Sequence, residues 1–110
     1  MRILLDECLP KDFSGELAGH QVKTVPQAGW ASVSNGKLLR LIAASRKFDV
    51  FLTMDKRLPQ QNKIRKLPFA IVVLRAKSNR LEHVFPFAPL LLRRLDEFKA
   101  GTACVLTPPE

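Results

Sequence analysis

Asp6, Glu7 and Asp55 are the side chains whose chemistry stands out first. Clustered carboxylates with neither His nor Cys among them suit a hard, oxygen-loving cation, Mg²⁺ or Mn²⁺, rather than zinc. Like-charged carboxylates a few ångströms apart repel, so the cluster is costly unless a cation sits in it. Such a cation lowers the pKa of a bound water and polarises a phosphodiester oxygen. The bland alternative is strand-end capping, with each carboxylate accepting backbone N–H groups.

A second feature is basic. Residues 56 to 81 carry Lys56, Arg57, Lys63, Arg65, Lys66, Arg75, Lys77 and Arg80 and no acid, which equals the whole net charge of +8. Residues 1 to 35 carry Arg2, Lys11 and Lys23 against Asp6, Glu7, Asp12 and Glu16. A basic field of that density favours polyanions, nucleic acid first and an acidic protein second. Otherwise it is a solvated surface that keeps the chain soluble.

These residues can act together only if the fold converges them. Ile3 to Leu5 is a short apolar run ending at Asp6 and reads as a buried strand. Pro10 and Gly19 bracket a helix over 10–18, with Phe13 and Leu17 on one face. Gln21 to Val25 reads as a strand stopped by Pro26, and residues 26 to 34 as a connection. Ser34 or Asn35 caps a helix from about 36 to 47, with Leu38, Leu39, Ile42 and Ala43 inward. Val50 to Thr53 is a second buried strand, with Asp55 just past its end. Phe69 to Leu74 is the strongest strand and runs into Arg75. Leu81 to Val84 is a helical turn. Pro89 opens a helix with Leu91, Leu92, Leu95 and Phe98 inward, ended by Gly101. Ala103 to Leu106 is the last strand.

Strands alternating with helices imply parallel strands, right-handed crossovers and helices on both faces. The expected fold is α/β: one domain over 1–110, an open parallel sheet of about five strands in the order 2-1-3-4-5. Ligands bind such sheets outside the carboxyl ends of the strands, where the order reverses, here between the first and third. That placement converges Asp6, Glu7 and Asp55 and sets Arg75, Lys77 and Arg80 beside them to hold a phosphate backbone.

With 110 residues the chain has room for one domain. No apolar run approaches the roughly 20 residues of a membrane helix, so no membrane association is expected. The acidic pair at 6 and 7 breaks any signal-peptide core. Cys8 and Cys104 form neither a disulfide framework nor a zinc spacing and read as free thiols in a reducing cytoplasm. Cys8 lies near a helix N-terminus, which would lower its pKa; as a structural thiol it would be buried. Trp30 either stacks on a base or covers the sheet edge. His20 and His83 have no neighbouring nucleophile and read as surface or capping groups. Ser78-Asn79 is either an N-cap or a phosphate contact.

Met1-Arg-Ile-Leu-Leu-Asp-Glu-Cys-Leu-Pro10, with Phe48-Asp-Val-Phe-Leu-Thr-Met-Asp55, resembles the small PIN-like domains found in many bacteria. These are relatives of the PIN nucleases that act as toxins in toxin–antitoxin pairs. The resemblance covers nearly the whole chain and extends to Ile71-Val-Val-Leu-Arg75. In that family an Asp closes the first strand and Thr-x-Asp closes a later one; the matching residues here are Asp6 and Thr53/Asp55. The resemblance implies a Mg²⁺- or Mn²⁺-dependent ribonuclease acting on RNA, with Asp6, Asp55 and Glu7 at the centre. Arg75, Lys77, Arg80, Lys56 and Arg57 would grip the substrate. An acidic antitoxin protein and a second copy of the chain are the protein partners in view. One departure stands out. The family usually carries a further acid at the start of a central helix, and this chain offers Asn35-Gly36-Lys37. Glu7 substitutes for that acid, or Asn35 contributes an amide oxygen to the metal, or the site holds metal weakly. In the last case the chain is a PIN-like RNA- or protein-binding module.

Overall fold

A computed structural model describes residues 1–109. Five strands, β1 (Arg2–Leu5), β2 (Gln21–Thr24), β3 (Val50–Thr53), β4 (Ala70–Leu74) and β5 (Ala103–Leu106), form one sheet in the order β2-β1-β3-β4-β5. Every pairing is parallel. This is the α/β architecture that the strand and helix alternation implies.

The central strands are buried on both faces, which is why their sequences are continuously apolar. Alternate side chains go to opposite sides. Ile3, Leu5, Val50, Leu52, Val72 and Leu74 join one core with Phe13, Phe87 and Leu91. Leu4, Phe51, Ile71 and Val73 join the other with Leu38, Leu39 and Ile42 of α1 (Asn35–Ser45). Trp30 packs edge-on to Phe48, ring centroids 6.2 Å apart, and covers this second core.

Several local expectations are corrected. The segment after Pro10 is a 3₁₀ helix over Lys11–Glu16 rather than an α-helix over 10–18. Gly15 is a poor helix former, and the Ser14 hydroxyl donates to the Lys11 carbonyl at 2.8 Å, in competition with the helical ladder. Phe13 and Leu17 are nevertheless buried. Helix α1 stops at Ser45 because Arg46 turns left-handed, φ 50°. A one-turn helix α2 (Leu58–Gln61), with Pro59 in its first turn, was not expected. After α3 (Leu81–Val84), α4 spans Phe87–Arg94, with Pro89 also in the first turn, where a missing N–H costs nothing. A short 3₁₀ turn, Leu95–Glu97, ends this helical stretch well before Gly101. Leu91, Leu95 and Phe98 are buried, but Leu92 is 36% exposed. Gly101 serves a different purpose: φ is +78°, and any Cβ there would collide with the Arg65 carbonyl oxygen.

At the amino edge of the sheet Arg2 holds Asp49 through Nε at 3.3 Å and Nη2 at 3.1 Å, and the Asp49 amide donates to the Arg2 carbonyl at 2.8 Å. The hydrogen bonds from Arg2 hold the Asp49 carboxyl below the usual carboxylate range. Among the described residues no helix is long and apolar enough to cross a membrane.

Candidate active site at the carboxyl edge

Strands β1 and β3 are neighbours, with Leu5 in register with Leu52. The ladder continues one step further, because the Asp6 amide donates to the Leu52 carbonyl at 2.9 Å. Asp6 therefore comes level with Thr53, which is fully buried. The Thr53 hydroxyl donates to Asp6 Oδ2 at 2.7 Å and accepts the Asp55 amide at 3.1 Å. One hydroxyl thus ties the ends of two strands at the point where the sheet order reverses.

Asn35 opens α1 and donates from Nδ2 to Asp55 Oδ2 at 3.2 Å, which leaves its Oδ1 as the free end of the amide. Ser34 takes the N-cap position, but its side chain makes no capping bond. The other Asp55 oxygen accepts the Arg57 amide at 3.0 Å and faces the Arg57 Nε at 3.5 Å.

Glu7 does not complete a three-carboxylate cluster. Its carboxylate accepts the Ser32 amide at 2.6 Å, while its own amide donates to Asp6 Oδ1 at 2.8 Å. Ser32 is left-handed, φ 63°, so Glu7 pins an unfavourable turn in the 26–34 connection. Among the described residues no group of three His, Cys, Asp or Glu side chains is placed to hold a metal ion. Asp6, Asp55 and Asn35 are together; Glu7 borders them.

Cys8 Sγ lies 3.6 Å from Asp6 Oδ2 and 3.9 Å from Thr53 Oγ1. Burial, then the Asp6 charge, pushes the thiol up to about 11. The lowering expected from a nearby helix N-terminus is thereby reversed, for the 3₁₀ helix presents no strong dipole to Cys8 and a carboxylate does face it.

All eight cations of 56–81 are exposed, but they do not form one surface. Lys56 and Arg57 follow β3, and Arg75, Lys77 and Arg80 follow β4, at the edge where Asp6 and Asp55 sit. Lys63, Arg65 and Lys66 lie on the segment that returns the chain from α2 to the start of β4, with Arg65 against Gly101 near the opposite edge. Arg75 is fixed by its amide to the Leu106 carbonyl at 2.9 Å. Ser78 Oγ accepts the Arg80 amide at 3.1 Å and contacts His83 Nδ1 at 2.6 Å, which gives both side chains a turn-capping role. His20 Nδ1 contacts the N-terminal amine at 3.0 Å.

A hollow of about 410 Å³ opens beside Asp6, between Glu7, Leu9, Lys11, Pro26 and Gln27. Lys11 is the residue missed by sequence reasoning, since only the fold brings it to this edge. Two other hollows, about 470 and 520 Å³, include neither Asp6 nor Asp55 in their lining: one opens beside Arg2 and Lys23 and one along residues 62–66.

The donor set at Asp6, Asp55 and Asn35 is all oxygen, and a carboxylate oxygen has two lone pairs, of which one hydrogen bond uses one. Mg²⁺ is commonly held by one or two carboxylates plus water and substrate phosphate, so these residues fit such an ion. Compared with protein-family models, with curated proteins and with solved structures, the chain matches none.

Proposed function

We propose that the chain is a PIN-like, divalent-metal-dependent endoribonuclease that acts at the carboxyl edge of its sheet. The observation that carries this reading is the Thr53 hydroxyl between Asp6 Oδ2 and the Asp55 amide, at the reversal point of an open parallel sheet. Asp6 and Asp55 would hold Mg²⁺ or Mn²⁺, with Asn35 Oδ1 as the neutral oxygen. When bound, the cation would supply Lewis acidity toward a phosphodiester and lower the pKa of a water. Thr53 fixes the spacing of the two carboxylates, and Asn35 orients Asp55. Lys56, Arg57, Arg75, Lys77 and Arg80 would hold the RNA backbone from one side and Lys11 from the other. The setting proposed is the toxin half of a toxin–antitoxin pair, held in check by an acidic antitoxin.

The test is purified protein on labelled RNA, with and without Mn²⁺, beside Asp55→Asn. Cleavage that needs both the metal and Asp55 supports the reading; none under any condition overturns it. A second reading, RNA binding without turnover, is favoured by one observation. All four carboxylate oxygens of Asp6 and Asp55 already accept a hydrogen bond from the chain. Salt-sensitive RNA binding without cleavage selects it.

A further inference from the structure

The two edges of the sheet are defended differently. Edge strands of soluble proteins are normally blunted by charge, by proline or by a covering segment. β2 carries Lys23, exposed in the middle of the strand. β5 reads Ala103-Cys104-Val105-Leu106, with no charge, and prolines enter only at 108 and 109.

The register shows which groups of β5 are unused. The Thr102 carbonyl accepts the Ile71 amide at 3.0 Å and the Leu106 carbonyl accepts the Arg75 amide at 2.9 Å. In a strand the N–H and C=O of one residue point to the same side and alternate along the chain. Cys104 therefore faces β4 with Thr102 and Leu106, while Ala103 and Val105 aim their N–H and C=O groups out of the sheet. The Val105 side chain shares a face with its partner Val73, which is buried under α1. The cover does not reach β5, and Val105 is 48% exposed.

The surroundings of this edge are cationic along its length. The Thr102 hydroxyl donates to the Lys99 carbonyl at 2.6 Å, which sets Lys99 at the start of the strand. Arg94 Nη2 lies 3.9 Å from Cys104 Sγ at its middle. Arg75 closes its end. Among the described residues Lys99 and Arg75 have no ion-pair partner; Arg94 meets Glu97 at 3.4 Å, and Asp96 is the other nearby acid in the chain.

We propose that β5 is a docking edge for an extended acidic segment of another protein, which adds to the sheet as a sixth strand. Main-chain bonds to Ala103 and Val105 supply the register, an apolar side chain covers Val105, acids on the opposite face meet Arg94 beside Cys104, and Lys99 and Arg75 flank the two ends of the strand. A second copy fits poorly, since β5 against β5 brings those three cations of two strongly positive chains together. The inference stands apart from the carboxylate site and does not depend on it.

Three labelled eight-residue peptides, alternating Val with Glu, Ser or Lys, test it by fluorescence anisotropy. The Glu peptide is expected to bind about tenfold more tightly than the Ser peptide, and the Lys peptide more weakly still. On binding, amide exchange should slow at Ala103 and Val105 and stay unchanged at Cys104 and Leu106. Val105→Pro removes an outward N–H and the valine side chain, leaves the bonds to β4 in place, and should abolish binding. Should that variant fail to fold, Arg94→Glu/Lys99→Glu is expected to shift the preference toward the Lys peptide. Equal binding of all three peptides, or unaltered exchange at Ala103 and Val105, overturns the proposal. So does a dimer in light scattering that Val105→Pro converts to monomer, for the edge would then belong to a second copy.

Discussion

Thr53 Oγ1 lies 2.7 Å from Asp6 Oδ2, across the seam between β1 and β3, in a fully buried position. The same oxygen accepts the Asp55 amide, so both of its roles are in use. Thr53→Val keeps the shape and removes the hydroxyl. It leaves a main-chain donor and a carboxylate oxygen short of a partner, a loss of about 1–3 kcal/mol. Thr53→Ser keeps the hydroxyl and loses one methyl group, about 0.8 kcal/mol. Urea melts of the two variants measure the difference. Equal stability of Thr53→Val and wild type would show that the bridge holds nothing.

Mn²⁺ is expected to raise the melting temperature. Binding to folded protein alone contributes about 2.7 kcal/mol at 100 times Kd. Asp6→Asn/Asp55→Asn should lose that shift. An equal shift in the double variant would place the ion elsewhere.

Charge reversal should separate the two basic groups. Each phosphate neutralised on a single strand adds about 0.7 to the slope of log K against log salt. Arg75→Glu/Lys77→Glu/Arg80→Glu is expected to flatten the slope and weaken RNA binding across sequences. Lys63→Glu/Arg65→Glu/Lys66→Glu makes the same change of charge on the segment before β4 and should alter the slope little. If the second triple variant binds as poorly as the first, net charge alone drives association.

Cys8 should be a sluggish thiol. Its pKa of about 11 leaves little thiolate at neutral pH. In a Cys104→Ser background, the rate of iodoacetamide labelling is expected to climb toward a midpoint near 11. The linked effect on stability has a definite sign. The folded pKa lies above the ordinary thiol value of about 9, so the folded chain keeps its proton where the unfolded chain has lost it. Stability falls as pH rises through that window and is unaffected below it. Fast labelling at pH 7 would show that Cys8 is neither buried nor facing a carboxylate.

Much of the architecture was legible because the central strands carry their burial in plain composition. Ile3 to Leu5, Val50 to Leu52 and Ala70 to Leu74 are apolar without interruption, and only a sheet covered on both faces requires that. The meeting of Asp6 with Asp55 followed from strand order alone. What escaped depended on three-dimensional detail without a local signal. Glu7 turns away because Ser32 adopts a left-handed conformation that no glycine announces. Lys63, Arg65 and Lys66 look continuous with Arg75 in a linear count of charge, yet β4 carries the chain from one edge to the other between them. Leu92 repeats the apolar spacing of its helix but lies at the edge of the packed face, 36% exposed.

The strand order also sets which borders of the sheet are open before later strands add. β1 and β2 can pair first; β3 then adds beside β1, β4 beside β3 and β5 beside β4. The sheet therefore widens in one direction as synthesis proceeds. From the emergence of Leu74 until Ala103 arrives, its growing border is Ala-Ile-Val-Val-Leu, buried throughout in the finished molecule. An uncharged border of that kind invites pairing with other chains. Until β5 pairs with it, that border would stand open, and covering it is what the last strand contributes to the finished sheet.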